Sequence, residues 1–148
     1  MARETDHIQL ANRNEAALQF LLSSNGTSHP EWIATVAFYK ALQLVDAAYR
    51  NRTGRSNHDH ASRNRVVKKQ PFPRALNRSY RALWAASTVA RYLHDNTTDT
   101  DYSSFVDYMP DEQVVAELVQ HRLHDVEQIV MQMLPEELRV TIDQTRVN

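Results

Sequence analysis

Apolar residues recur every three or four positions along most of this chain, which is the spacing of an amphipathic helix. The first predicted helix covers residues 6–24, with Ile8, Ala11, Leu18 and Leu22 on one face and Thr5 or Asp6 as its cap. Residues 32–49 are apolar almost all round, which predicts a helix at the centre of a bundle. Its one acid, Asp46, needs a partner, because an unpaired buried charge is costly.

The rest of the chain continues the helical pattern. Pro30 suits the first position of the second helix, and a polar loop is predicted over residues 23–29 and another over 51–57. A short polar helix is predicted to start near Asn57 or Asp59 and to run to Lys69. Further helices are predicted over residues 74–94, 110–134 and 135–144, the last two after a loop that includes 96–101.

No long alternation of apolar and polar residues indicates a sheet, so the predicted fold is all-α, an up-and-down bundle of four to six helices. The length of 148 residues predicts a single domain, residues 1–148. The chain has no cysteine, no signal-peptide pattern at its polar start and no apolar run of the roughly 18 residues that a membrane helix needs. We therefore expect a soluble, cytoplasmic protein without a membrane partner.

Charge is unevenly distributed along the chain. Residues 50–81 contain ten Arg and Lys against one acid, although the whole protein has a formal net charge of −1. From residue 95 onward, twelve acids face three bases. The basic stretch could bind a polyanion, it could pair with the acidic part within one chain or across a dimer, or it could be only a solvated helix face.

The middle of the basic stretch offers candidate chemistry. His58 and His60 lie among arginines, and His60, Arg63 and Asn64 share one face if the helix begins before His60. A histidine can move a proton near neutral pH, and an arginine such as Arg63 or Arg55 can hold a phosphate. RNA supplies its own nucleophile, the 2′-hydroxyl, so a ribonuclease site of this kind needs no metal. The alternative is that these are surface residues at a helix start, with Asn57 or His60 as the cap.

Other chemistries have weaker signals in the sequence. His58 and His60 could share a metal on an extended segment, with Asp59, His121 or His124 approaching, but no third ligand has a familiar spacing. Gly-rich phosphate loops, zinc-protease His-Glu pairs and Ser-His-Asp arrangements are not found in the sequence. Tyr80 and Tyr92 fit the apolar side of the fourth predicted helix, so we expect both in the core.

Scattered positions in the first four predicted helices resemble the pattern of the HEPN superfamily (higher eukaryotes and prokaryotes nucleotide-binding), over residues 6–94. They are His7, Ala11 and Asn14, residues 30–41, His58, His60, Arg63 and Asn64, and Tyr80, Leu83, Ser87, Arg91 and Tyr92. The resemblance implies a bundle of four or five helices, usually a homodimer with a cleft between its subunits. Many members are metal-independent ribonucleases whose signature is an arginine, four to six residues and a histidine, which Arg55 and His60 match in spacing.

Two hypotheses follow for function. The first is an HEPN-like metal-independent endoribonuclease that needs no cofactor or metal. It would act as a toxin or phage-defence component with an antitoxin or nucleotidyltransferase partner. Its catalytic residues are His60, Arg63 and Arg55, and its substrate-binding residues are His58, Asn64, Arg65, Lys68, Lys69 and Arg91. The second is a non-catalytic HEPN-like module that binds a nucleotide or a protein through the same basic face.

Overall fold

The computed structural model describes residues 2–23 and 29–147. Its helices are α1 (Glu4–Ser23), α2 (Pro30–Thr53), α3 (His60–Val66), α4 (Arg74–Tyr92), α5 (Phe105–Tyr108), α6 (Asp111–Val114), a π-helical segment (Val115–Leu123), α7 (His124–Met133) and α8 (Glu136–Arg139). Two short strands, β1 (His94–Asp95) and β2 (Thr100–Asp101), pair antiparallel. The predicted all-α helical bundle is confirmed, and the short β1–β2 hairpin is a small addition to it.

The helix α2 lies at the centre of the bundle, as its nearly continuous apolar sequence predicts. It packs against α1, α4, the π-helical segment and α7. Buried side chains from all of these helices form one cluster around it. Among the described helices, none is both long enough and apolar enough to cross a membrane.

The ends of the first two helices differ from the predicted ones. The helix α1 begins at Glu4, and the Asp6 carboxylate accepts a hydrogen bond from the backbone N–H of Arg3 at 2.8 Å. The predicted loop at 23–29 falls mostly outside the described residues. The helix α2 starts at Pro30 as predicted but continues through Thr53, into the predicted loop, because Gly54 ends it in the left-handed conformation at φ 72°.

The helix α3 is shorter than predicted, since it ends at Val66. Its cap is Asp59, whose carboxylate accepts the backbone N–H of Ser62 at 2.7 Å, so neither Asn57 nor His60 caps it. Val67, just after the helix, is buried in the core. With seven residues, α3 depends on such tertiary contacts because a helix this short is marginal alone.

The helices α6 and α7 and the π-helical segment between them form one continuous rod over residues 111–133. The looser i→i+5 winding turns the inward face away from the one that α-helical spacing predicts. Val114 and Leu123 are buried, whereas Val115 and Arg122 are only partly buried. An ion pair between Arg122 Nε and Glu117 Oε1, 3.0 Å apart, joins residues five positions apart on this segment.

The chain after α8 folds back over the first helix. We call residues 141–147 the C-terminal strap. Asn12 on α1 donates from Nδ2 to the Thr141 carbonyl at 2.8 Å and accepts the Asp143 N–H at 2.9 Å. Ile142 of the strap is buried in the core cluster. The predicted final helix to residue 144 is therefore only the four residues Glu136–Arg139.

Candidate functional site

A buried ion pair connects α2 to α3. The Arg63 guanidinium meets both oxygens of the Asp46 carboxylate, with Nε 3.0 Å from Oδ1 and from Oδ2 and Nη2 3.0 Å from Oδ2. Asn57 Nδ2 donates to the same carboxylate at 3.2 Å. Asp46 is 2% exposed, so Arg63 is the partner that this lone acid was predicted to need. The pair fixes the direction in which α3 leaves the loop.

His60, at the first position of α3, packs its ring against Phe38 of α2, with 5.9 Å between the ring centroids. Its Nδ1 is buried and has no hydrogen-bond partner among the described residues, which leaves Nε2 as the nitrogen available to a ligand. Burial lowers the pKa of His60, and the positive charges of Arg63 and Arg91 lower it further. The imidazole is therefore neutral at pH 7 and able to accept a proton.

Arg91, near the end of α4, brings a second guanidinium towards His60. Its Nε donates to the Ser87 carbonyl at 3.1 Å, and its Nη1 donates to the Tyr39 hydroxyl at 3.0 Å. The guanidinium carbon also lies 5.1 Å from the ring centroid of Tyr92. These contacts hold the side chain in one place.

The two tyrosines that we expected in the core have different surroundings. Tyr80 is 1% exposed, and its ring lies 5.6 Å from that of Phe38. Burial raises the pKa of the Tyr80 phenol well above its usual value, and within the described part of the chain its hydroxyl has no hydrogen-bond partner. Tyr92 is 66% exposed, so its prediction as a core residue is wrong. It follows the last inward-facing turn of α4 and covers Arg91 instead.

The structure brings His60, Arg63 and Arg91 into one cluster, whereas the other predicted site residues lie in the loop before α3, on α3 or just after it. Arg55 and His58 lie exposed in the loop before α3, where the Arg55 backbone N–H donates to Thr53 Oγ1 at 3.1 Å. The other exposed positions on or after α3 are Arg65, Lys68 and Lys69, while Asn64 is half-buried. The described residues contain no group of three or more His, Cys, Asp or Glu placed to hold a metal.

A basic cleft of about 590 Å³ lies along α4 and is also lined by Lys68, Asp95, Thr97 and Tyr108. We define the basic cleft by its four cationic residues, Lys68, Arg74, Arg78 and Arg81. A smaller pocket of about 210 Å³ adjoins it and shares Lys68 and Arg81. We predicted only Lys68 of these four as a binding residue. The spacing of the three arginines, four and three residues apart, was the available signal, because it places them on one face of α4.

A second buried charge, which we did not predict, lies on α2. Lys40 is 0% exposed, and its ammonium contacts Glu15 Oε1 and Glu127 Oε1, both at 2.9 Å. It also donates to the Asp143 carbonyl at 2.6 Å and to Thr145 Oγ1 at 3.2 Å. A lysine inside an otherwise apolar helix was the signal. The cluster joins α1, α2, α7 and the C-terminal strap, so its role is structural.

Comparison with known proteins leaves the family open. No family model, no curated protein and no solved structure matches the chain. The resemblance to the HEPN superfamily therefore stays a prediction, and the argument for function depends on the site itself.

Proposed function

We propose that this protein is a metal-independent endoribonuclease with His60 as its proton-transfer residue. The observation that supports the proposal is a half-buried histidine whose pKa is lowered by burial and by the two guanidinium groups of Arg63 and Arg91. A neutral imidazole beside fixed cations suits both proton abstraction and the stabilisation of a phosphate.

In the proposed reaction, His60 Nε2 accepts the proton of an RNA 2′-hydroxyl. The freed O2′ attacks the adjacent phosphorus and the bond from phosphorus to O5′ breaks, which leaves a 2′,3′-cyclic phosphate and a 5′-hydroxyl. The departing O5′ must receive a proton. A water molecule supplies it, and the hydroxide that remains takes the proton that His60 had accepted. The proposal includes a cleft between two subunits because the resemblance to the HEPN superfamily implies one.

The surrounding residues have distinct proposed roles. Arg63 acts mainly as a positioning residue, because Asp46 already engages its Nε and Nη2. Arg91 and the exposed Arg55 stabilise the scissile phosphate. Flanking substrate contacts come from the remaining predicted residues, which are His58, Asn64, Arg65, Lys68 and Lys69.

The test is cleavage of single-stranded RNA by the purified protein in excess EDTA. We expect His60→Gln to lower kcat/KM by about 10²–10⁴-fold, the usual contribution of general acid–base catalysis. The matched control is His124→Gln, which changes an exposed histidine on α7 and should cleave at the parental rate. As the pH is lowered, the kcat/KM of the parent should fall to half its maximum at a pH below about 6.5, the ordinary pKa of histidine, because the pKa of His60 is lowered. Parental activity in His60→Gln would refute the proposal.

A non-catalytic binding module is the second candidate, and one observation favours it. The donors of Arg63 and Arg91 are largely used within the protein, by Asp46, Ser87 and Tyr39, which leaves fewer of them for a phosphate. RNA binding without cleavage, by a protein shown to be folded, would favour this candidate. A role as toxin or phage-defence component with an antitoxin or nucleotidyltransferase partner belongs to the first candidate.

A further inference from the structure

The basic cleft carries charge that the fold does not use. Lys68 follows α3, whereas Arg74, Arg78 and Arg81 line one face of α4. In the part of the chain that the structure describes, none of these four side chains makes an ion pair or a hydrogen bond. Like charges three or four residues apart on a helix are mildly destabilising. Four unneutralised cations around one cleft therefore indicate an anionic ligand.

Among the described residues, the one acid that lines the basic cleft makes no ion pair with its four cations. Asp95 is buried, and its Oδ1 accepts hydrogen bonds from the backbone N–H and the hydroxyl of Thr97, at 2.7 Å and 2.6 Å. The cleft's volume, about 590 Å³, lies within the range of roughly 300–1,000 Å³ that is typical of small-molecule sites. A ligand with phosphate groups fits both the charge and the size.

The adjoining pocket has a different character. Three asparagines line it, Asn64, Asn77 and Asn96, together with Trp84 and Tyr80. An amide offers both a donor and an acceptor to the edge of a base, and an indole ring offers a stacking surface. Its volume of about 210 Å³ admits one flat ring system but not a helix or strand of a protein partner.

We propose that the basic cleft and the amide pocket together bind one nucleotide of single-stranded RNA. The base enters the amide pocket, and the phosphates lie on Lys68, Arg74, Arg78 and Arg81. This inference deepens the proposed function by naming how the substrate is held next to the cleavage site. Asn64 directly follows Arg63, and Tyr80 packs on Phe38 beneath His60, so the pocket adjoins the His60 cluster.

The experiment measures binding of fluorescent single-stranded oligoribonucleotides by anisotropy across a range of salt concentrations, in a His60→Gln background that prevents turnover. Arg78→Met and Arg81→Met should each reduce the slope of log affinity against log salt by about one, since each removes one phosphate contact. Arg13→Met removes the same charge from an exposed position on α1 and should leave affinity and slope unchanged.

The amide pocket is tested separately, with oligomers of a single base type. Asn77→Leu should change the order of affinities among the four bases while leaving the salt slope unchanged. If Arg78→Met, Arg81→Met and Arg13→Met all bind RNA equally well, the proposal that the basic cleft binds the RNA phosphates is refuted. Two results would overturn the assignment of a nucleotide. One is an unaltered order of base preferences in Asn77→Leu. The other is displacement of labelled RNA by poly-glutamate that is as strong as displacement by unlabelled RNA.

The outcomes separate this inference from the proposed function. If the parent binds RNA through these residues but never cleaves it, the nucleotide site stands and the ribonuclease proposal fails. The opposite result is also possible to recognise. Arg78→Met and Arg81→Met are then made without the His60 change and compared with Arg13→Met. If the parent cleaves RNA and all three variants cleave and bind RNA equally well, the ribonuclease proposal stands and the nucleotide site fails.

Discussion

At the scale of single residues, the charged side chains of α2 explain much of the tertiary structure. Asp46 and Lys40 are both buried, and each is held by partners from other elements: Arg63 of α3 for Asp46, and Glu15 and Glu127 for Lys40. Removing one member of a buried pair leaves an uncompensated charge, which costs more than the pair contributes. These residues therefore make the clearest predictions about stability.

We expect Arg63→Met to lower the free energy of unfolding by about 3–5 kcal/mol, because the Asp46 carboxylate then stays buried without its cation. Urea unfolding measures the change. The matched control, Arg65→Met, alters an exposed arginine of the same helix and should shift stability by no more than about 0.5 kcal/mol. The double variant Asp46→Leu, Arg63→Met should recover most of the loss. A cost for Arg63→Met as small as that for Arg65→Met would contradict the prediction.

The lowered pKa of His60 predicts a dependence of stability on pH. Because the folded protein resists protonation of His60, the unfolded chain binds more protons, and stability is lost as the pH falls from about 6.5 through the lower folded pKa. Urea unfolding at pH 7.5 and at pH 5 should show a smaller loss for His60→Gln than for the parent.

His94 provides a control of opposite sign. Its hydrogen bond and ion pair with Asp101 raise its pKa, so its contribution is complete at low pH and is lost as the pH rises through the folded pKa. His94→Gln should therefore enlarge the loss on acidification that His60→Gln reduces. Equal responses from both variants would show that the pKa shift of His60 is not the cause.

At the scale of elements, α3 and the C-terminal strap are short segments that the core holds in place. The helix α3 has its Asp59 cap, the Asp46–Arg63 pair and the buried Val67 next to it. The strap depends on Asn12 and on the Lys40 cluster. Segments with few buried contacts open most easily, which places the His60 cluster on one of the less stable parts of the bundle.

Thr145→Val tests how the strap is attached. The Thr145 hydroxyl lies 2.6 Å from both Glu15 Oε1 and Glu127 Oε1, and its loss removes the one hydroxyl proton that these two buried carboxylates share. We expect a destabilisation of about 1–3 kcal/mol in thermal or urea unfolding. The control Thr141→Val removes an exposed hydroxyl that bonds only to the Leu138 carbonyl at 2.7 Å. A strap variant as stable as this control would show that the cluster does not hold the strap.

At the scale of the whole molecule, the separation of charge and the exposed aromatic residues near Arg91 are the features that bear on assembly. Trp32 is 62% exposed and lines a pocket of about 270 Å³ with Arg91, next to the exposed Tyr92. Exposed aromatic groups beside an arginine are typical of interface centres. Arg91 is near both these aromatic residues and His60, so we expect the aromatic residues to belong to the proposed dimer interface.

We expect the parent to be a homodimer by light scattering and the double variant Trp32→Ser, Tyr92→Ser to dissociate at a concentration at least tenfold higher, because it loses two aromatic anchors. Phe20→Ser, which changes another exposed aromatic residue on α1, is the control and should leave the dimer intact. A parent protein that is monomeric at concentrations where it cleaves RNA would exclude a catalytic site in the cleft between two subunits.

The sequence by itself determined the helical elements. An α-helix repeats about every 3.6 residues, so the spacing of apolar residues that are close in sequence is enough to indicate it. It also determined that Asp46 required a partner and that positive charge was concentrated between residues 50 and 81. The order and approximate length of α1, α2 and α4 followed from the same pattern.

Only the tertiary structure decided which residues meet. Arg63 is 17 positions from Asp46, and the Asp143 carbonyl that Lys40 contacts is 103 positions away, so no local pattern identifies these pairs. The π-helical winding, which changed the buried face between Val114 and Leu123, and the exposure of Tyr92 depend on packing against neighbouring helices. The basic cleft combines Lys68, one face of α4 and residues of the β1–β2 hairpin and α5, which only the fold brings together.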